Sequence, residues 1–538
     1  MSKPHLKLCL IVVMATVSAQ YVTAAGRENP DPTIVKTEAG LVHGKISNRV
    51  LEFKGIPYAA PPLNELRWQL PQPPKAWTGV LDATKYKSAC PQLSRYGLTE
   101  ASYDEDCLYL NVTVPYSQHS SPTLRPVIVW IHGGAFVGGS SSLYPLDFIA
   151  TTGDAVVVSM NYRLGVFGFM AHPSFDPDWN GALALEDQRS ALRWVKRNAV
   201  AFGGDPNNIT IAGESAGAAS VCMHVIAPEE TRGLFHKAIV QSGGCVTPLK
   251  TVAENSKTGQ KVAEYVGCTE AATALACLRG KSVKDLLEAG SKAQGSNLLA
   301  YAPSVGSKAI PLHGADAIGS GKFVQVPMIN GGNRDELRLY VAYDVQAGDS
   351  VTKDNYAAHI QKVYGGLADQ VITEYPTSAY SSPPSALGTV MSDFRLDVGL
   401  NNCIYLQTAK LASKYVKVYE YVFADRDAPP VTKNPGFEMG AVHASELPYQ
   451  FPHFSDTAKV DAPALPEAQQ KMAKQMMAYW TSFARNGVPV AQGAPAWEPF
   501  TADDKVFRFE PENLGSFDAS SEHNCGFWKK LYPAVLTR

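Results

Sequence analysis

The sequence predicts an α/β protein: a large, mostly parallel twisted central sheet with helices on both faces and a helical or loop cap over a site at the strand ends. Three observations carry this. From residue 127 onward, short apolar runs of strand length alternate with segments of helical periodicity, the pattern of parallel strands buried on both faces. A Gly-x-Ser-x-Gly turn, Gly213-Glu214-Ser215-Ala216-Gly217, stands between one such run and a helical segment, the setting in which a strained elbow exposes a nucleophilic serine. The chain has 538 residues, 45% hydrophobic and 18% charged, which is ample for a large core. Its formal net charge of −2 offers no electrostatic footprint for nucleic acid.

Taken in order, the chain opens with Lys3, His5 and Lys7 before the apolar run Leu8–Val17, then small residues at Ala19, Ala24 and Ala25. This reads as a secretory signal peptide over residues 1–25, cleaved after Ala24 or Ala25. The run is shorter than the roughly 20 residues that span a bilayer, and no second long apolar stretch follows, so no stable membrane insertion is expected. The remainder, 26–538, reads as one unit that is secreted or periplasmic. Residues 33–56 alternate around Gly40 and Gly44 and predict a β-hairpin. The proline-rich stretch Pro57–Trp77 predicts an extended loop, and Glu105–Val112 begins the regular sheet. Buried strands are expected at Val127–Ile131, Ala155–Met160, Ile209–Ala212, Lys237–Gln241, Pro327–Asn330 and Val416–Phe423. Ala191, Leu192, Val195, Ala199 and Phe202 share one face of a helix ahead of the elbow. Further helices are expected at Glu467–Arg485 and Cys525–Leu531. Residues 281–400, rich in Gly, Ser and Pro, are expected to hold the cap-forming insertions.

A serine hydroxyl needs a base to take its proton, and the base needs an orienting carboxylate. In an elbow fold the order along the chain is Ser, then Asp or Glu, then His. The acid candidates are Asp335 and Glu336, just after the strand ending at Asn330. The base candidate is His443, in the loop Gly440-Ala441-Val442-His443-Ala444-Ser445-Glu446-Leu447-Pro448.

With these residues in view the chain resembles the type-B carboxylesterases, the family that includes cholinesterases, para-nitrobenzyl esterases and some lipases, and within it a bacterial, secreted member. Lys54-Gly55-Ile56-Pro57-Tyr58-Ala59, Glu105-Asp106-Cys107-Leu108-Tyr109-Leu110-Asn111, Asn161-Tyr162-Arg163-Leu164-Gly165 and Phe202-Gly203-Gly204-Asp205-Pro206 carry the resemblance together with the elbow and the 440–449 loop. It implies an α/β-hydrolase fold and a serine esterase acting on small-molecule carboxylic esters through an acyl-enzyme. By the same resemblance Ser215 is the nucleophile, Glu336 rather than Asp335 the acid, and His443 the general base. His132-Gly133-Gly134-Ala135-Phe136 matches the oxyanion loop of lipases and esterases, so the backbone N–H groups of Gly133, Gly134 and Ala216 are expected to receive the oxyanion. Glu214, Ser242 and Glu446 match a supporting buried group. No metal or organic cofactor is implied, and the protein is expected to be a monomer or homodimer. A lipase, lactonase or amidase, or a non-catalytic adhesion module of the same fold, are the rival readings.

Nine cysteines are present, one of them, Cys9, in the leader. Cys90/Cys107 and Cys268/Cys277 would close short local loops, which an exported protein can keep oxidised. The family resemblance pairs the same cysteines and adds Cys403 with Cys525, leaving Cys222 and Cys245 over, with Cys222 read as a small buried core residue. Asp176-Pro177-Asp178-Trp179-Asn180-Gly181 resembles the start of a calcium loop with Asp187 at its end, but Pro177, Leu183 and Leu185 argue against it. Asn111 and Asn208 open glycosylation sequons that fall on expected core strands. The resemblance implies that a choline-ester hydrolase would carry a tryptophan in the Cys90–Cys107 loop; here the loop holds Tyr96 and Tyr103 but no tryptophan, a departure that disfavours choline esters.

Overall fold

The computed structural model describes Met1 and residues 31–94, 100–116, 123–452, 454, 464–501 and 503–537. Apart from Met1, the expected signal peptide lies outside the described residues, as does Tyr96. The strands are β1 (Ile34–Lys36), β2 (Leu41–His43), β3 (Lys45–Ser47), β4 (Val50–Pro57), β5 (Val80–Asp82), β6 (Tyr109–Pro115), β7 (Arg125–Ile131), β8 (Val156–Met160), β9 (Gly204–Glu214), β10 (Lys237–Gln241), β11 (Met328–Asn333), β12 (Val418–Phe423), β13 (Lys505–Phe509) and β14 (Gly515–Asp518). β1, β2 and β5 form a small sheet, and the other 11 form a second in the order β14-β13-β12-β11-β10-β9-β7-β8-β6-β4-β3.

From β8 through β13 every neighbouring pair in the large sheet is parallel. The antiparallel pairings sit at its two ends. β8 and β10 are buried along their whole length, which is why apolar residues run consecutively through Val156–Val158 and Ala238–Val240 rather than alternating. β7 shows how two cores are fed from one strand. Val127, Val129 and Ile131 join the cluster that contains Leu192, Val195 and Val221. Ile128 and Trp130, pointing the other way, join Met476, Met477 and Trp480.

The helices that matter for the site are α1 (Ala184–Asn198), α2 (Ala216–Val225), α3 (Arg338–Gln346), α4 (Pro383–Asp393), α5 (Asn402–Ala412), α6 (Glu467–Asn486) and α7 (Cys525–Leu531). α6 ends where Gly487 takes a φ of +74°, a left-handed terminus that glycine adopts without strain. No helix among the described residues is long and apolar enough to cross a membrane.

Four disulfides are formed: Cys90–Cys107, Cys222–Cys245, Cys268–Cys277 and Cys403–Cys525. The second corrects the reading of Cys222 as a free core residue. Cys222 lies on α2 behind the elbow and Cys245 in the loop after β10, and adjacency of β9 and β10 brings their Cα atoms to 5.0 Å, well within bridging range. Asp187, at the end of the stretch that resembles a calcium loop, is engaged by the protein itself. Both its carboxylate oxygens bind the Arg163 guanidinium, at 2.8 and 2.6 Å, so a protein cation stands against the carboxylate. Asn111 is buried and bonds Ser141 and the Gly55 amide, whereas Asn208 is half-buried and bonds the Arg485 carbonyl and Lys237.

Candidate active site

β9 delivers Ser215 to the top of the sheet and α2 begins one residue later. The chain can turn this sharply only because its flanks lack side chains. A Cβ on Gly217 would lie 2.0 Å from the Ile131 carbonyl oxygen, and one on Gly213 would lie 2.5 Å from the Gly217 carbonyl carbon. Ser215 itself is held at φ +59°, a region L-residues avoid, and its amide is tied to the Gln241 carbonyl at 2.9 Å. Its side chain therefore stands clear of the sheet.

The acid pair follows β11 and the base loop follows β12, its sheet neighbour. Of the two acid candidates only Glu336 faces His443. Its Oε2 lies 2.7 Å from His443 Nδ1. Its Oε1 accepts from the Asn333 amide at 2.8 Å and from the Tyr405 hydroxyl at 2.9 Å. On the other side of the ring, His443 Nε2 lies 2.8 Å from Ser215 Oγ. Ser215, Glu336 and His443 thus form one continuous hydrogen-bonded row, drawn from β9, β11 and β12. Asp335 points instead at Arg426, Arg338 and the Ala441 amide.

The loop His132–Phe136 leaves β7, next to β9, and passes beside Ser215. A Cβ on Gly133 would lie 3.0 Å from Ser215 Cβ and 2.9 Å from the Glu214 carbonyl oxygen. Gly134 (φ +112°), Ala135 (φ +53°) and Phe136 (φ +63°) form a run of positive φ beside Ser215. The His132 ring anchors this run by stacking on Tyr162 at 4.3 Å, and the Tyr162 hydroxyl donates to the His132 carbonyl. Burial pushes His132 down to about 4, which keeps it neutral.

The expected supporting residues fare differently. Glu214 Oε1 lies 3.2 Å from His443 Nε2, yet among the described residues it accepts no hydrogen bond, and that nitrogen is directed at Ser215. Glu446 Oε2 accepts from Asn333 Nδ2 at 2.6 Å. Ser242 is buried at φ +58°, and its Oγ finds no partner among the described residues. Burial raises Glu214 to about 8 and Glu446 to about 7. For His443, burial works to lower the imidazole, but Glu214, then Glu336 and Glu446, lift it to about 9.

The site opens into a cleft of about 630 Å³, its mouth included, walled by Tyr144, Leu298, Leu339, Tyr340, Tyr343 and Phe454 among others. The Tyr340 ring lies 5.8 Å from the His443 ring. These wall residues, with Tyr405 and Asn333, went unseen in the sequence. A signal was there for three of them. Leu339, Tyr340 and Tyr343 follow Glu336 at intervals of three, four and seven, one face of the helix that starts beside the acid. No cluster of three or more His, Cys, Asp or Glu set to hold a metal ion occurs among the described residues.

The model of the carboxylesterase family matches residues 31–528. The chain belongs to the carboxylesterase family. Within it, the chain is 35% identical over 517 residues to the para-nitrobenzyl esterase of Bacillus subtilis, covering 93% of this chain and 99% of that protein. It is 33% identical over 562 residues to the cocaine esterase of Homo sapiens, covering 99% and 97%. It is also 32% identical to the acetylcholinesterase of Bungarus fasciatus, over 93% of this chain and 87% of that one. With the family model and such relatives over nearly its whole length, this family member is a carboxylic ester hydrolase of the α/β-hydrolase fold.

Proposed function

We propose that the chain hydrolyses small-molecule carboxylic esters through an acyl-enzyme on Ser215. Ser215 Oγ attacks the ester carbonyl carbon while His443 Nε2 takes its proton. The oxyanion that forms is received by the N–H groups of Gly133, Gly134 and Ala216, a contribution typically worth about 100–1000-fold in turnover per donor. On collapse the carbon–oxygen bond to the alcohol breaks, and His443 returns its proton to the departing oxygen. Water then attacks the acyl-enzyme by the same route, freeing the acid and restoring Ser215. Glu336 fixes the imidazole tautomer through Nδ1 and stabilises its cation. These steps use a hydroxyl, an imidazole, a carboxylate and backbone amides, and call for no metal or organic cofactor.

The observation that carries this reading is the unbroken row from Ser215 Oγ to His443 (2.8 Å) to Glu336 (2.7 Å). The apolar and aromatic wall of the cleft favours esters whose acyl and alcohol parts present hydrocarbon to the protein. We also propose export to an oxidising compartment, supported by four disulfides and the leader-like N-terminus.

The test is hydrolysis of a short-chain para-nitrophenyl ester by the mature protein and by Ser215→Ala. The variant is expected to lose at least about 10⁴-fold in turnover with its circular dichroism spectrum and thermal midpoint retained. Undiminished hydrolysis by Ser215→Ala overturns the mechanism. Matched ester and amide substrates, followed by emulsified acylglycerols, then separate an esterase from an amidase or a lipase.

A further inference from the structure

Asp335, the carboxylate that the reacting row leaves unused, is buried to 1% exposure beside Glu336. Its Oδ1 receives Arg426 Nη2 at 2.9 Å and lies 3.3 Å from Arg338 Nη2. Its Oδ2 receives Arg426 Nε at 3.2 Å and the Ala441 amide at 3.1 Å. The Asp335 amide in turn donates to the Ala441 carbonyl at 2.9 Å. Two residues further on, the His443 amide donates to the Glu336 carbonyl at 3.2 Å. Residues 441–443 therefore lie along the Asp335–Glu336 segment through three backbone contacts, one of which ends on a carboxylate held in the fork of Arg426.

The fit is close. Gly440 takes a φ of +69°, and a Cβ there would come 2.3 Å from Asp335 Oδ2, so the loop rests directly on that oxygen. The far side of the loop is gripped by the same segment that supplies Arg426. Asp425, its neighbour, accepts from the Tyr449 hydroxyl on the short helix Leu447–Gln450 that follows the base. Arg426 also reaches Glu438 Oε1 at 3.2 Å, just ahead of the loop. Both arms thus start from residues 425–426, immediately after β12, and close on either side of His443.

We infer that Asp335 and Arg426 are positioning residues for the general base: their bidentate pair sets the height of the 440–443 loop and so places His443 between Ser215 and Glu336. This rests on the reading of those three as the reacting groups. Geometry is what the clamp supplies, since a displacement of about 1 Å in a reacting group can cost about 100-fold in rate. Lysine cannot replace Arg426 fully, because a single ammonium lacks the planar two-pronged donor set.

The experiment compares the parent, Asp335→Asn, Arg426→Gln, Arg426→Lys and Ser215→Ala, each as the mature full chain. Active sites are counted by burst titration with an organophosphonate, and kcat and KM are measured on a short-chain para-nitrophenyl ester across pH. Expected for Asp335→Asn is a fall of about 100-fold in kcat per titrated site with KM within about twofold. Arg426→Gln, whose side chain is 36% exposed and tolerates truncation, is expected to lose about tenfold, with Arg426→Lys recovering part of it. In both Asp335→Asn and Arg426→Gln the acid limb of the kcat profile moves to lower pH, because an imidazole that drifts from Glu336 loses a carboxylate that favours its cation. A merely structural role would lower the titrated fraction and leave kcat per site and the acid limb in place, and that result overturns the inference. A rise in KM with kcat per site unchanged overturns it as well. Activity retained in Ser215→Ala would strike at the serine mechanism itself, a failure distinguishable from that of the clamp.

Discussion

Around the His443 imidazole stand three buried carboxylates, Glu214, Glu336 and Glu446, and of these only Glu336 is hydrogen-bonded to it. Burial penalises each charge, so Glu214 and Glu446 are raised toward neutrality, to about 8 and about 7, while whatever negative charge they keep favours the His443 cation. In the proposed mechanism His443 is the general base and works in its neutral form, so kcat/KM is expected to fall as pH drops through its pKa. Glu214, first among the groups that lift His443, is therefore expected to hold the acid limb at higher pH than an isolated imidazole would show. Glu214→Gln removes that charge while keeping the shape. The acid limb of kcat/KM on a para-nitrophenyl ester should then move to lower pH by about one unit. A limb that stays in place or moves upward would show that Glu214 carries no charge in the working enzyme.

At the scale of elements, the strands that carry the site also carry a buried acid away from it. Glu420 on β12 is the register partner of Asn330 on β11. Asn330 Nδ2 donates to Glu420 Oε2 at 2.7 Å, and Asn330 Oδ1 finds no donor among the described residues. Burial raises Glu420 well above its ordinary 4.5. The folded protein thus keeps a proton that the unfolded chain gives up. Stability from this group is complete below 4.5 and declines as pH rises from there toward the folded pKa, at about 1.4 kcal/mol per pH unit inside that window. Glu420→Gln keeps the acceptor, supplies an amide donor and cannot ionise. Its thermal midpoint should match the parent near pH 4.5 and exceed it at neutral pH. Equal midpoints at both pH values would sink the assignment of a neutral buried carboxyl. What was legible beforehand follows from the same physics. Lys237–Gln241 was legible with its bounds correct, because the strand is buried on both faces and its centre, Ala238-Ile239-Val240, is continuously apolar. β13 and β14 escaped notice, because short strands at the sheet's end carry mixed exposure. The elbow and its two glycines were visible as a local motif, whereas the choice of Glu336 and His443 came from the family resemblance. The Tyr405 bond to Glu336 and the far walls of the cleft, Tyr144, Leu298 and Phe454, depend on packing between distant segments, which no local pattern encodes.

Across the whole molecule the covalent links divide into local and long-range. Cys268–Cys277 closes 9 residues, Cys90–Cys107 closes 17 and Cys222–Cys245 closes 23. Cys403–Cys525 closes 122. The unexpected Cys222–Cys245 link escaped the sequence reading because its closeness comes from the adjacency of β9 and β10, which is a property of the sheet. Cys403–Cys525 ties α5 to α7, so it joins the C-terminal segment to a helix that also places Tyr405 against Glu336. If a cross-link stabilises chiefly by restricting the unfolded chain, its effect grows with the loop it closes. The expected contributions are about 5 kcal/mol for the 122-residue loop and about 2.5 kcal/mol for the 9-residue loop. Paired serine substitutions, Cys403→Ser with Cys525→Ser and Cys268→Ser with Cys277→Ser, allow a direct comparison by denaturant unfolding without reductant. The first pair should lower the midpoint about twice as far as the second and should also reduce esterase activity below the transition, since loosening α5 frees the Tyr405 hydroxyl that orients Glu336. A reversed ranking would mean that these bridges act through native contacts rather than through the unfolded chain. Unchanged activity in the first pair would mean that α5 holds Tyr405 in place without its covalent tie.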